Sequence, residues 1–169
     1  EHSPLPVILY NIPGRSGVNM TAETTLRCAA DFRNVIGIKE ASGDIGQRQR
    51  IVDNRPDGFL VLSGDDGMTL DLMRRGGEGV ISVAANVFPK RFMQCVGHAK
   101  QGDFDRAEEE YRALDEAVHA LFEEGNPVGA KCALSMMGKI GPTMRLPLVE
   151  GSQALREKFS RLIAEYDLR

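Results

Sequence analysis

No apolar stretch in this chain is long enough to cross a bilayer as a helix; the longest ones are strand-sized and interrupted. Neither a transmembrane segment nor a membrane partner is expected. Lysine and arginine nowhere cluster, and the formal net charge is -3. That balance gives no electrostatic footprint for nucleic acid or an anionic surface, and it leaves a small soluble partner. Cysteine is scarce: Cys28, Cys95 and Cys132 are odd in number, far apart, and each inside a segment that reads as helical. Neither a disulfide framework nor a zinc site is suggested, and the three read as buried thiols in a reducing compartment, with the cytoplasm expected. His2, His98 and His119 stand without partners at metal spacing, and neither metal nor cofactor is expected. An initiator methionine is also lacking. The chain opens Glu1-His2-Ser3-Pro4 and is in a β run within a few residues, with nothing like a secretory or transit signal before it. Such an entry reads as the middle of a larger fold.

What is present is enough apolar mass for a core: 169 residues, 42% hydrophobic and 27% charged. Four short apolar runs, residues 7–10, 35–38, 59–62 and 79–83, fit buried strands whose hydrophobicity is continuous rather than alternating, as parallel α/β sheets require. Between them, residues 21–32, 46–54 and 66–75 carry helical rotation, the first behind a capping Thr21 and the last stopped by Gly76-Gly77. Strand and helix alternate at βαβ intervals, so the strands are expected to be parallel. From Pro89 the pattern is wholly helical: residues 90–101, 104–123, 128–139 and 152–166, separated by Gly and Pro breakers. The expected organisation is a βα part over 1–88 and a helical appendage over 89–169.

In parallel α/β folds the chemistry sits at the C-terminal strand ends. Lys39 closes the second apolar run. An amine held partly out of water there falls below its ordinary pKa of about 10.4, toward the range where it attacks a carbonyl to form a Schiff base. The competing reading is a lysine that snorkels to water beside Glu40. Tyr10 stands at the corresponding end of the preceding strand, where a phenol can shuttle protons; packing alone is its alternative. Arg15, in a loop stiffened by Pro13 and loosened by Gly14 and Gly17, can aim a guanidinium fork at a carboxylate, or simply be solvated. Asp65 and Asp66 read as helix-capping groups rather than metal ligands. Glu108-Glu109-Glu110 reads as a solvated face and Met136-Met137 as core filling.

Taken together, YNIPGRSG, IGIKEASGD, LSGDD, GGEGVISVAANVFP, NPVGAKCALSMMG and MRLPL stand in an order that resembles the dihydrodipicolinate (4-hydroxy-tetrahydrodipicolinate) synthase family. That family lies in the class I aldolase superfamily, with N-acetylneuraminate lyase. The resemblance covers essentially the whole chain. It implies the second half of a (β/α)₈ barrel, four parallel βα units, followed by the last barrel helix and a C-terminal helical extension. It further implies that Lys39 forms a Schiff base with pyruvate, that Tyr10 relays protons, that Arg15 binds the carboxylate of L-aspartate semialdehyde, and that the Ile81 backbone lines the pyruvate pocket. Sialic-acid lyases share the tyrosine and lysine but tend not to carry GR after YNIP. Ser16 departs conservatively from the family's threonine. The family's Gly-Thr-Thr-Gly-Glu motif, whose threonine completes the relay, and a tyrosine lent by a neighbouring subunit have no counterpart in these residues. The resemblance therefore implies a site without its full relay, and pairing with a complementary half barrel or homo-oligomerisation. One alternative is another pyruvate-type lyase acting on 2-keto sugar acids; another, resting on the expected unpaired edge strands 7–10 and 79–83, is a catalytically silent half barrel that only assembles.

Overall fold

The computed structural model describes residues 3–166. The chain divides into two compact units, the first ending at Ser82 and the second beginning at Val83.

The first unit is a parallel sheet of β1 (Val7–Asn11), β2 (Val35–Glu40), β3 (Leu60–Ser63) and β4 (Gly79–Val80), in the order β1-β2-β3-β4. Neighbours in sequence are neighbours in space and the winding never reverses, which is the order of a (β/α) barrel rather than of a doubly wound sheet. The connections are α2 (Ala22–Asp31), α3 (Ile45–Asn54) and α4 (Thr69–Arg74), with a one-turn helix, α1 (Pro13–Ser16), directly after β1. Side-chain chemistry starts two of these helices. Thr21 accepts from the Thr24 N–H at 3.3 Å and Asp44 from the Gln47 N–H at 2.8 Å. Asp65, not Asp66, takes the Met68 N–H, at 3.3 Å, in the turn that leads into α4, so that helix begins later than its polar residues suggest.

Strand parity decides which face each residue serves. The row Leu9, Ile38, Val61 packs against helices in a core with Ala22, Ile51, Phe59 and Leu72. The next row, Tyr10, Lys39, Leu62, faces the other way. The third, Asn11, Glu40, Ser63, returns to the helix side and is buried. Both β1 and β2 thus run past their apolar stretches, because the hydrogen-bond ladder continues through polar residues whose side chains are satisfied inside. β4 is shorter than the apolar run 79–83 predicts: after Ile81 donates its N–H to Ser63 O at 2.9 Å the backbone leaves the ladder.

One inward residue is anomalous. Arg48 on α3 is 1% exposed, and none of its three guanidinium nitrogens has a hydrogen-bond partner among the described residues. A buried charge without an acceptor costs several kcal/mol. Arg48→Met, similar in length and uncharged, is expected to raise stability by about 1–4 kcal/mol in urea unfolding. A lower midpoint would show instead that buried water solvates the guanidinium.

The second unit is helical: α5 (Ala84–Val87), α6 (Pro89–Lys100), α7 (Phe104–Arg112), α8 (Asp115–Ala120), α9 (Val128–Met136) and α10 (Gln153–Glu165). Asp103 and Ser152 cap α7 and α10, accepting from the Arg106 and Leu155 N–H groups. The single helix expected over 104–123 is broken at Leu114, whose N–H turns to Tyr111 O at 2.8 Å while its side chain is fully buried. Helix α9 packs closely on the end of α8: a Cβ at Gly129 would stand 2.3 Å from Leu121 O, so only glycine permits that approach. Cys95 donates to Ala107 O at 3.3 Å, and burial pushes its thiol up to about 11. Cys132 is also buried, whereas Cys28 is only partly so. No described helix is long and apolar enough to cross a membrane.

Candidate active site

The outward row of the sheet places two reactive groups side by side. Tyr10 and Lys39 are Cα partners in the β1/β2 register, each one residue before its strand ends. Because their side chains share a face, the Lys39 Nζ reaches a point 4.1 Å from the centre of the Tyr10 ring. A cation over an aromatic face gains about 0.5–1 kcal/mol at a part-exposed position, enough to bias the long side chain toward the phenol. Lys39 is half-buried, and Tyr10 keeps 47% of its surface exposed, so the pair is open on one side to an incoming molecule.

The floor under the lysine is Gly64, the first residue past β3. A Cβ there would lie 3.2 Å from both Cγ and Cε of Lys39 and 2.6 Å from the Ala41 Cβ. The stem of Lys39 occupies the volume that any larger residue at 64 would fill. Nothing in the sequence marks Gly64, since in SGDD the carboxylates are the chemically conspicuous groups.

Glu40 follows Lys39 in sequence but turns to the opposite face. It is 0% exposed. Its Oε1 accepts the Ser42 N–H at 2.5 Å, and its Oε2 accepts Asn11 Nδ2 at 2.9 Å and Gln47 Nε2 at 3.0 Å. The expectation of a lysine snorkelling beside Glu40 therefore fails on parity: adjacent strand residues point apart. Asn11, Asn19 and Gln47 were invisible as a group because only the fold brings positions 11, 19 and 47 together.

Arg15 is exposed on α1, on the turn directly after the strand that carries Tyr10; Pro13 opens that turn and Gly17, at φ 73°, closes it. Ile81 follows β4 at the same end of the sheet. Its N–H is committed to Ser63 O, and its side chain is 42% exposed. Among the described residues no group of three or more His, Cys, Asp or Glu side chains is disposed to hold a metal ion. In the second unit, a cleft of about 300 Å³ is lined by Arg91, His98, Arg106, Glu109, Glu110 and Ala113, whose opposite charges face one another, Arg91 and Glu110 at 3.9 Å.

A family model described as the dihydrodipicolinate synthetase family matches residues 1–166. Among curated relatives, the 4-hydroxy-tetrahydrodipicolinate synthase of Parabacteroides distasonis is 49% identical over 98% of this chain and 56% of its own length. That of Phocaeicola vulgatus is 48% identical over 100% of this chain and 57% of its own. A crystal structure of dihydrodipicolinate synthase from Thermotoga maritima superposes with a TM-score of 0.96 at 41% identity, covering 99% of this chain and 58% of that one. The Aquifex aeolicus dihydrodipicolinate synthase does so with 0.95 at 37%, covering 98% and 57%. The chain spans a little over half the length of the curated relatives it matches.

Proposed function

The chain belongs to the dihydrodipicolinate synthetase family and has part of its (β/α)₈ barrel, four parallel βα units with the C-terminal helices, and on that ground we propose that it carries the Schiff-base centre of a pyruvate-condensing lyase. The observation that supports this most is the Lys39 amine set 4.1 Å over the Tyr10 ring on the open face of the sheet. The neutral amine of Lys39 attacks the keto carbon of pyruvate, and the carbinolamine oxygen leaves as water to give an imine. Loss of a methyl proton turns the imine into an enamine, whose carbon attacks the aldehyde of L-aspartate semialdehyde. The amino group of that second substrate then displaces Lys39 as the ring closes, giving 4-hydroxy-tetrahydrodipicolinate for lysine and diaminopimelate biosynthesis and returning the free amine. The Tyr10 phenol moves the protons these steps exchange. Arg15 takes the carboxylate of the aldehyde substrate, and Ile81 lines the pyruvate pocket. The three free cysteines accord with a cytoplasmic setting.

Pyruvate followed by borohydride, with peptide mass mapping, is expected to mark Lys39. Label on other lysines with Lys39 untouched would refute the assignment. Arg15→Ala is expected to lower kcat/KM for aspartate semialdehyde by roughly 10- to 100-fold, the worth of one charged hydrogen bond, and to leave pyruvate capture unchanged. A variant that lost nothing on aspartate semialdehyde yet turned over sialic acid or 2-keto-3-deoxygluconate would favour a sugar-acid lyase. Because the threonine and neighbouring tyrosine of the family relay have no counterpart in these residues, condensation by this chain alone is proposed to be slower by orders of magnitude than with a complementary half barrel supplied.

A second reading has its own observation. Among the described residues β1 and β4 each have a single neighbour in the sheet, and sheet edges recruit further strands. On this reading the chain only assembles, with copies of itself or with the other half of a barrel. Light scattering that finds a stable monomer would remove it.

A further inference from the structure

We propose that Glu40 is a positioning residue: its buried carboxylate locks the ends of β1 and β2 together and so keeps Lys39 over Tyr10. The inference deepens the proposed Schiff-base reading of that pair and concerns what holds the pair in place. Asn11 and Glu40 are Cα partners one step beyond Tyr10 and Lys39. Whatever fixes the outer pair therefore fixes the inner one, on the opposite face. Glu40 does this from three sides. Its oxygens gather a donor from β1 (Asn11), one from the loop after β2 (Ser42) and one from α3 (Gln47), while Asn19, between α1 and α2, links the two amides to each other.

The donors cannot be turned around. Asn11 Oδ1 is committed to the Met20 N–H at 2.9 Å, and its Nδ2 gives its second proton to Asn19 Oδ1 at 2.8 Å. Gln47 Oε1 takes Asn19 Nδ2 at 2.9 Å, while its Nε2 also reaches Met20 O at 3.1 Å and Asn19 Oδ1 at 3.3 Å. A flip of either amide would set oxygen against carboxylate and N–H against N–H. Position 40 must then offer acceptors on both oxygens, which an ionised carboxylate does and a glutamine of the same shape does not. In Glu40→Gln one side of the new amide necessarily points N–H groups at a donor. No described lysine, arginine or histidine pairs with Glu40, so the carboxylate's partners are these neutral donors, whose geometry defines the strand ends.

The test compares the wild-type chain with Glu40→Gln and Gln47→Ala, and with Gln49→Ala as a control, a half-buried α3 residue whose side chain donates to Asp53 rather than to Glu40. Two quantities are read. One is the limiting rate of pyruvate capture at Lys39 per folded molecule under borohydride. The other is the upfield ring-current displacement of the Lys39 methylene resonances by Tyr10, in protein with selectively labelled lysine. Glu40→Gln and Gln47→Ala are expected to lose at least 10-fold in limiting rate and most of the displacement, while core methyl resonances and Gln49→Ala stay as in wild type. If the two variants melt earlier but keep both the rate and the displacement, Glu40 is merely structural and the proposal is overturned. If Glu40→Gln does not fold, Gln47→Ala decides alone. Should the wild type capture no pyruvate, the Schiff-base reading fails, and the displacement still settles whether Glu40 positions Lys39.

Discussion

Lys39→Arg is expected to abolish covalent capture of pyruvate. Arginine keeps the charge, the reach and the contact with the Tyr10 ring, but its guanidinium does not deprotonate in a protein and so offers no lone pair to a carbonyl. The substitution thus separates the electrostatic role of position 39 from the nucleophilic one. Lys39→Ala removes both. In each case the borohydride-trapped adduct should fall by on the order of 10³-fold or more, as is usual when a nucleophile is removed. The remaining lysines serve as internal controls. Lys131 and Lys158 hold their amines against Thr143 O and Glu123, and neither faces a phenol. An adduct that survived Lys39→Ala at comparable yield would place the chemistry elsewhere.

Gly64→Ala is the second substitution with a large expected effect, although residue 64 carries no functional group. Its new methyl would enter space held by the Lys39 stem at 3.2 Å and by the Ala41 Cβ at 2.6 Å. Either the β3 end shifts away from β2 or Lys39 swings off Tyr10, and displacement of a reacting group by about 1 Å costs roughly 10²-fold in rate. Overpacking should also take about 1–3 kcal/mol from stability. Trapping rate per folded molecule, read beside an unfolding curve, separates the two. Adding Ala41→Gly relieves the shortest contact but leaves those to Lys39, so the double variant should recover stability more fully than rate. Wild-type trapping in Gly64→Ala would mean that the lysine does not need this floor.

These two substitutions also mark where sequence reading reaches and where it stops. Lys39 and Tyr10 were legible because each closes an apolar run, and consecutive parallel strands bring such ends together. The capping role of Thr21 follows from local chemistry and needed no fold. Arg15 was legible as a charged residue in a stiffened turn, though its target was not. The side Glu40 serves was not legible, since the apolar run stops at Ile38 while the ladder runs on to Glu40, and the register shows that 39 and 40 face apart. Gly64 carries no signal at all, because its importance lies in what is absent from it. Leu114 interrupts a helix without a glycine or proline: burial of its side chain, not a backbone preference, turns the chain.

The strand order has a consequence for how this unit is made. With β1, β2, β3 and β4 side by side in the sequence of their synthesis, each strand finds its partner one βα connection upstream, already outside the ribosome, and closes only a short loop to reach it. Growth can proceed by accretion onto a nascent edge, with no distant segment to await.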